Sequence, residues 1–165
     1  MNGGNGVYSG FVYCAAPNGW GNEFKFQRTA GSWDDEINTG TFTGGITGDV
    51  QGDADASSNI AVTQGEGVYY MTLNLAEGTL SAVKINNMNL VGDFNGWKAG
   101  DDTQQMVWNA TDYCYEFSGA GITSVGWKFA ANNAWDINLG GSSIDNLVQN
   151  GDNLLVAGDV VKLYP

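Results

Sequence analysis

The sequence predicts an all-β protein built from two tandem immunoglobulin-like or Greek-key β-sandwich modules. Three observations lead there. The first is a repeat: Phe24-Lys25-Phe26 followed by Gly31-Ser32-Trp33-Asp34 returns as Trp127-Lys128-Phe129 followed by Asn133-Ala134-Trp135-Asp136. Each copy then reaches a similar line, Ser58-Asn59-Ile60-Ala61-Val62 and Asp152-Asn153-Leu154-Leu155-Val156. Lys25 and Lys128 are 103 positions apart, Trp33 and Trp135 102, and Asn59 and Asn153 94. Self-similarity at long period marks a repeated structural unit. The second observation is that apolar residues recur at period two, and no 11-residue window carries helical periodicity. The third is composition: 25 Gly and only 2 Pro in 165 residues fit many tight turns, with no collagen-like period.

Residues 1–86 form the expected first module and 87–165 the second, each near the lower size limit for an independent core. In the first, Val7 to Tyr13 reads as a strand, and so does Glu23 to Gln27, with Phe24 and Phe26 on one face and Lys25 and Gln27 on the other. Residues 34–58, rich in Gly, Asp, Thr and Ser, read as a long loop with a short strand near Phe42. Val68 to Leu75 alternates, with Tyr69, Met71, Leu73 and Leu75 on one side. Ala76-Glu77-Gly78-Thr79 turns the chain, and Leu80 to Ile85 returns. Asn86-Asn87 breaks the pattern and is taken as the boundary.

The second module opens with the strand Met88 to Val91 and a turn-rich loop, Gly92-Asp93-Phe94-Asn95-Gly96-Trp97. Strands follow at 105–108 and 113–117, joined by Asn109-Ala110-Thr111-Asp112. Val125 to Ala130 repeats the key pattern, with Val125, Trp127 and Phe129 inward and Lys128 outward. Aligned this way, the first copy lacks a counterpart to residues 88–108 and the second lacks the closing hairpin 68–85. The bare start Met-Asn-Gly-Gly-Asn-Gly and the end just past Val160-Val161-Lys162-Leu163 suggest a piece of a longer protein.

A net charge of −12, from 18 acids and 6 bases, argues against nucleic acid and against an anionic membrane surface. The sequence has no transmembrane run and no His, so the commonest general acid/base is absent. Neither Cys14 nor Cys114 has a His to activate it, and they read as two independent core thiols. Asp34-Asp35-Glu36 is a run of neighbours, unlike the two separated carboxylates of a glycosidase. Gly52-Asp53-Ala54-Asp55-Ala56-Ser57 resembles a calcium loop but lacks the Gly and Glu of an EF-hand, so no metal or other cofactor is expected. The chain is therefore expected not to be an enzyme.

Aromatic rings beside polar groups suit sugar binding, because a ring stacks on the apolar face of a pyranose. Trp97 and Trp135 both lie in turn sequences, with Lys128 between them on an outward face. On residues alone they fit either a sugar platform or caps on the ends of the core. Trp108 and Trp127 sit in apolar strand stretches and read as core. In the first copy the equivalents are Lys25 and Trp33, with Trp20 as a further ring; Asn22, Gln27 and Arg28 are nearby polar residues that fit a solvated surface.

At Gly92 to Trp97, Trp127-Lys128-Phe129, Trp135-Asp136 and Asp152-Asn153-Leu154 the chain resembles the carbohydrate-binding modules of the SusE/SusF family, starch-binding outer-membrane lipoproteins of Bacteroidetes. That resemblance implies Trp97 and Trp135 as platforms and Lys128 as the group that hydrogen-bonds glucose. In the first copy it implies Lys25 and Trp33, with Trp20 possible. It further implies a polysaccharide partner, other components of a glycan-uptake system, and an extracellular position anchored to the outer membrane. A xylan- or other β-glycan-binding module of a hemicellulase, and a structural or protein-interaction domain, are the alternatives.

Overall fold

The computed structural model describes residues 1–16, 22–52, 57–122, 126–156 and 158–165. Trp20, the acids Asp53 and Asp55 of the acidic loop, and Val125 lie outside the described residues. The chain divides into two compact units, Met1–Lys84 and Ile85–Pro165. Both are all-β. No α-helix occurs among the described residues, and no helix is long and apolar enough to cross a membrane.

The strands of the first unit are β1 (Asn2–Gly4), β2 (Val7–Cys14), β3 (Glu23–Phe24), β4 (Phe26–Gln27), β5 (Glu36–Ile37), β6 (Gly45–Gly48), β7 (Val50–Gly52), β8 (Ile60–Val62), β9 (Gly67–Asn74) and β10 (Thr79–Lys84). One sheet runs β1-β2-β9-β10-β6. Its pairs are antiparallel except β6 with β10, which is parallel. The other layer holds β3-β8-β7 and β4-β5. Tyr69, Met71, Leu73, Leu80 and Ala82 of the first layer pack on Ile37, Val50, Ile60 and Val62 of the second. The alternation of β9 buries Tyr69, Met71 and Leu73 and leaves Tyr70, Thr72 and Asn74 half-buried, which is the period-two rule at work. Segment 34–58 is more ordered than its composition predicts. Besides β5 it contains the turn Thr39–Thr41, capped by Asn38, then β6 and β7. These short strands are held by backbone pairing rather than by an apolar period, so periodicity could not reveal them.

The second unit holds β11 (Met88–Gly92), β12 (Val107–Asn109), β13 (Cys114–Ile122), β14 (Trp127–Ala131), β15 (Asn138–Ser143), β16 (Asn146–Gln149) and β17 (Gly158–Leu163). Its sheets are β12-β13-β17 and β11-β14-β15-β16. β11 is buried along its whole length, and Trp127 and Phe129 of β14 have no exposed surface. Trp127 gives its indole N–H to the Val156 carbonyl at 2.9 Å, so its one polar atom is satisfied inside the core.

The two units repeat their hydrogen-bond register. Phe24 faces Ile60 as Trp127 faces Leu154. Phe26 faces Ile37 as Phe129 faces Leu139. The Arg28 N–H reaches the Asp35 carbonyl, and that of Ala131 reaches Ile137; Thr39 reaches Ser58, and Gly141 reaches Asp152. In the other layer Tyr8 faces Leu73 as Tyr115 faces Leu163. This corrects two expectations. β17 pairs with β13 as β9 pairs with β2, so the second unit contains a counterpart of β9, and of that hairpin the return strand β10 has no match among the described residues. Likewise β1 pairs with β2 as β12 pairs with β13, so within residues 88–108 it is mainly β11 and the loop after it that have no match. Cys14 and Cys114 are free and lie on matching strands but at opposite ends of them.

The tight register between β15 and its neighbours predicts a sensitive glycine. A Cβ on Gly140 would stand 2.0 Å from the Asp152 carbonyl oxygen, a backbone atom that cannot step aside. Gly140→Ala should destabilise the second unit by about 2 kcal/mol or more. Urea unfolding followed by tryptophan fluorescence checks this, and a variant within 0.5 kcal/mol of the parent (the usual range of a neutral surface change) contradicts it.

Candidate functional site

Two loops of the second unit bring Trp97 and Trp135 together. Their ring centroids are 6.3 Å apart and the ring planes incline by 31°. Trp135 is 42% exposed and Trp97 is half-buried, so the pair presents aromatic surface to solvent while each ring shields part of the other. Neither ring is among the fully buried side chains of the core.

Local chemistry explains why the rings stay there. Asp93–Asn95 forms one 3-10 turn, and the Asn95 side chain accepts from the Gly92 N–H at 3.0 Å and donates to the carbonyls of Leu90 and Lys98. Gly96 adopts the left-handed conformation, and Trp97 follows it there with φ of 61°. Trp97 anchors itself by its backbone N–H to the Gly92 carbonyl at 2.9 Å and by its indole N–H to Asp93 Oδ1 at 2.8 Å. A left-handed conformation costs a residue with a Cβ roughly 1–2 kcal/mol. Backbone strain of this kind collects at functional sites.

The Trp135 loop is built from asparagines. Asn132 and Asn133 are both left-handed, a conformation Asn tolerates well. Buried Asn138 donates to the Trp135 carbonyl at 2.8 Å and to Asn150 Oδ1 at 2.7 Å, while Gln149 donates to the Asp136 carbonyl at 2.7 Å. Asn89, with no exposed surface, ties the two loops by donating to the Ala99 carbonyl and, at 2.8 Å, to Asn133 Oδ1.

Lys128 is half-buried on the outward face of β14, opposite Val91 of β11. Val91 and Ala130 of that face pack on Ala99, two residues after Trp97, so the loop that carries one ring lies on the lysine's own face. Lys128 takes no ion-pair partner among the described residues.

The first unit differs. Trp33 is 67% exposed in the turn between β4 and β5, and no described aromatic ring lies against it. Lys25 is engaged by Glu36 at 2.9 Å. The hydrogen bonds from Lys25 and Asn38 hold the Glu36 carboxyl below the usual range. Arg28 is paired with Asp35 at 3.0 Å, and Gln27 accepts from the Gly31 N–H at 3.1 Å. Sequence matching finds Lys25 and Trp33 but not the acid that occupies Lys25, because Glu36 meets it only across the β4–β5 turn.

Trp108, expected in the core, is half-buried, and it packs edge-on against Tyr113 and Tyr115. Burial pushes the Cys14 thiol up to about 11 and also raises that of Cys114, so both stay protonated at neutral pH. Asp112, Cys114 and Glu116 cluster, but Lys162 bridges the two carboxylates at 2.8 and 2.6 Å and supplies the compensating charge. No family model matches the chain, and no curated protein matches it.

Two outcomes are expected from this geometry. Trp97→Gly should be more stable than Trp97→Ala by about 1 kcal/mol, since both lose the ring but only glycine escapes the left-handed penalty. Paired chemical denaturation curves read the difference, and equal midpoints would mean that position 97 carries no strain. Glu36 has a depressed folded pKa, so its contribution to stability is present above the unfolded value and is lost as pH falls through the folded one. An NMR titration should place its midpoint below 4.5, the ordinary value, and Lys25→Met should bring it back up.

Proposed function

We propose that the chain is a non-catalytic carbohydrate-binding protein whose main site is the Trp97–Trp135 pair with Lys128 beside it. The observation that carries this reading is the aromatic pair itself: two rings 6.3 Å apart, surface-exposed, on loops pinned by asparagine hydrogen bonds. Rings stacked on a sugar supply apolar contact, and a lysine supplies three donors for hydroxyls. Pre-ordered loops lower the entropic cost of holding the ligand. Affinity per site should be on the order of tens of micromolar to millimolar, because an open site buries little surface.

The preferred ligand is starch or another α-glucan. Rings inclined by 31° suit a curved chain better than a flat ribbon would allow. A xylan or other β-glycan is the second reading, since a twisted chain also meets inclined rings. On this view the protein is related to the SusE/SusF-like starch-binding lipoproteins and works at the cell surface alongside other glycan-uptake components. The absence of His, the protonated thiols and the ion-paired Asp35 and Glu36 favour binding over catalysis.

Native gels cast with amylopectin, xylan, xyloglucan or mixed-linkage glucan test the proposal. Retardation is expected in amylopectin. Trp97→Ala and Trp135→Ala should each weaken binding at least tenfold, a loss of about 1.4 kcal/mol. Lys128→Ala should weaken it severalfold. Lys25→Ala and Trp33→Ala should matter less, because Lys25 is already paired. Folded Trp97 and Trp135 variants that bind normally would overturn the site, and retardation only in xylan would transfer it to the second reading.

A further inference from the structure

The matched register of the two units exposes one position filled in the second and open in the first. In the second unit β11 pairs antiparallel with β14, from Met88 opposite Ala131 to Gly92 opposite Trp127. Its counterpart partner in the first unit, the β3–β4 line from Phe24 to Arg28, pairs only with β8 and β5, on the opposite edge. Successive residues of a strand direct their backbone groups to alternate edges. Phe24 and Phe26 direct theirs to β8 and β5, so Lys25 and Gln27 direct theirs to the other edge, where no strand lies among the described residues.

Side chains record the same opening. Trp127 and Phe129 have no exposed surface, whereas Phe24 and Phe26 at the matching positions are only partly buried. Tyr115 is 6% exposed and reaches the Ile85 carbonyl just before β11, whereas Tyr8 at its matching position is 37% exposed. Two hollows follow the open edge. One of about 410 Å³ lies at Val12, Cys14, Phe24 and Phe26, and one of about 290 Å³ at Tyr8, Phe26 and Leu73. A cavity of about 150 Å³ holds a benzene ring, so each hollow accommodates a medium apolar side chain. Asn22 also lines the first hollow, and its Oδ1 is buried without a donor.

We propose that this edge binds an extended β-strand of the β11 type, supplied by another polypeptide segment. The strand runs antiparallel to Phe24–Arg28, exchanges backbone hydrogen bonds with Lys25 and Gln27, and inserts apolar side chains into the two hollows. The occupant's chemistry is read from β11 itself: Met88 and Leu90 point inward, and Gly92 stands opposite Trp127, where a Cβ would come within 2.9 Å of that residue's own Cβ. A strand added to a sheet edge draws affinity from main-chain pairing and selectivity from pockets at alternate side chains. An uncovered apolar edge is otherwise a self-association hazard.

The test uses the whole chain and a labelled synthetic peptide with the sequence of Ile85–Gly92. Fluorescence anisotropy should show saturable one-to-one binding, and NMR hydrogen exchange should slow at least tenfold at the Lys25 and Gln27 amides. A peptide N-methylated at the positions of Asn89 and Val91, which carry the N–H groups directed at the partner strand, should bind at least tenfold more weakly. Unchanged exchange at Lys25 and Gln27, or equal binding of the methylated peptide, overturns the proposal. Sedimentation showing a dimer in which those two amides are already protected also overturns it, since a second copy then fills the edge. None of these readouts involves a sugar, so they stand apart from the glycan proposal.

Discussion

One strand in each unit carries the rest: β14 in the second and the β3–β4 line in the first. Its alternation turns an aromatic pair toward the core, Trp127 and Phe129 fully buried or Phe24 and Phe26 partly so, and by the same period turns a lysine outward. Register then leaves no freedom, because a slip of one residue would send the lysine into the core and the aromatics into water. Both edges of β14 are paired, so this single register also positions β11 with the loop after it and β15 with the loop before it. The two tryptophans are thus delivered by loops on either flank of the strand that carries Lys128.

Asparagine does most of the work of holding those loops. Its amide donates and accepts at once, and it tolerates left-handed backbone at low cost. Asn95, Asn89 and Asn138 together donate to four backbone carbonyls, those of Leu90, Lys98, Ala99 and Trp135, and the Asn133 side chain accepts from Asn89. Each such bond is worth only about 1 kcal/mol net, but losing one strands a partly buried partner. The arrangement therefore favours all-or-none order in the loops. It also leaves Trp97 as a residue in the neighbourhood whose backbone conformation its own side chain disfavours, with the indole bond to Asp93 offsetting part of that cost.

Much of the fold was legible because it rests on period two. The alternation of Val68 to Leu75, the inward Trp127 and Phe129, and the hairpin turn before Leu80 all follow from apolar spacing and turn chemistry. β6 and β7 were not legible: Gly, Thr and Asp carry no apolar period, and pairing with β10 and β8 is a tertiary fact. The match of β9 with β17 was hidden because the sequences Met71-Thr72-Leu73 and Val161-Lys162-Leu163 share little beyond apolar alternation, whereas their partners β2 and β13 reveal the match in the ladder. At the candidate site, turn signals placed Trp97 and Trp135 on loops. Nothing in the spacing says that two loops nearly forty residues apart meet at 6.3 Å; the Asn89 side chain that links them is a strand residue with no distinctive motif.

The difference between the two lysines follows from one register position. Counting from matched pairs, Glu36 faces Gln27 where Asn138 faces Ala130. An acid at that position draws Lys25 into an ion pair, and the pair fastens β5 to the β3–β4 line in a unit whose neighbouring edge carries no strand among the described residues. An asparagine at the same position turns instead to the Trp135 carbonyl and Asn150, steadying the aromatic loop, and Lys128 has no counter-ion among the described residues. Ion pairs near the surface add little stability, so the acid in the first unit is a minor fastening. The two copies share a backbone register and use the matching lysine differently: Lys25 ties two strands together, and Lys128 makes no ion pair among the described residues.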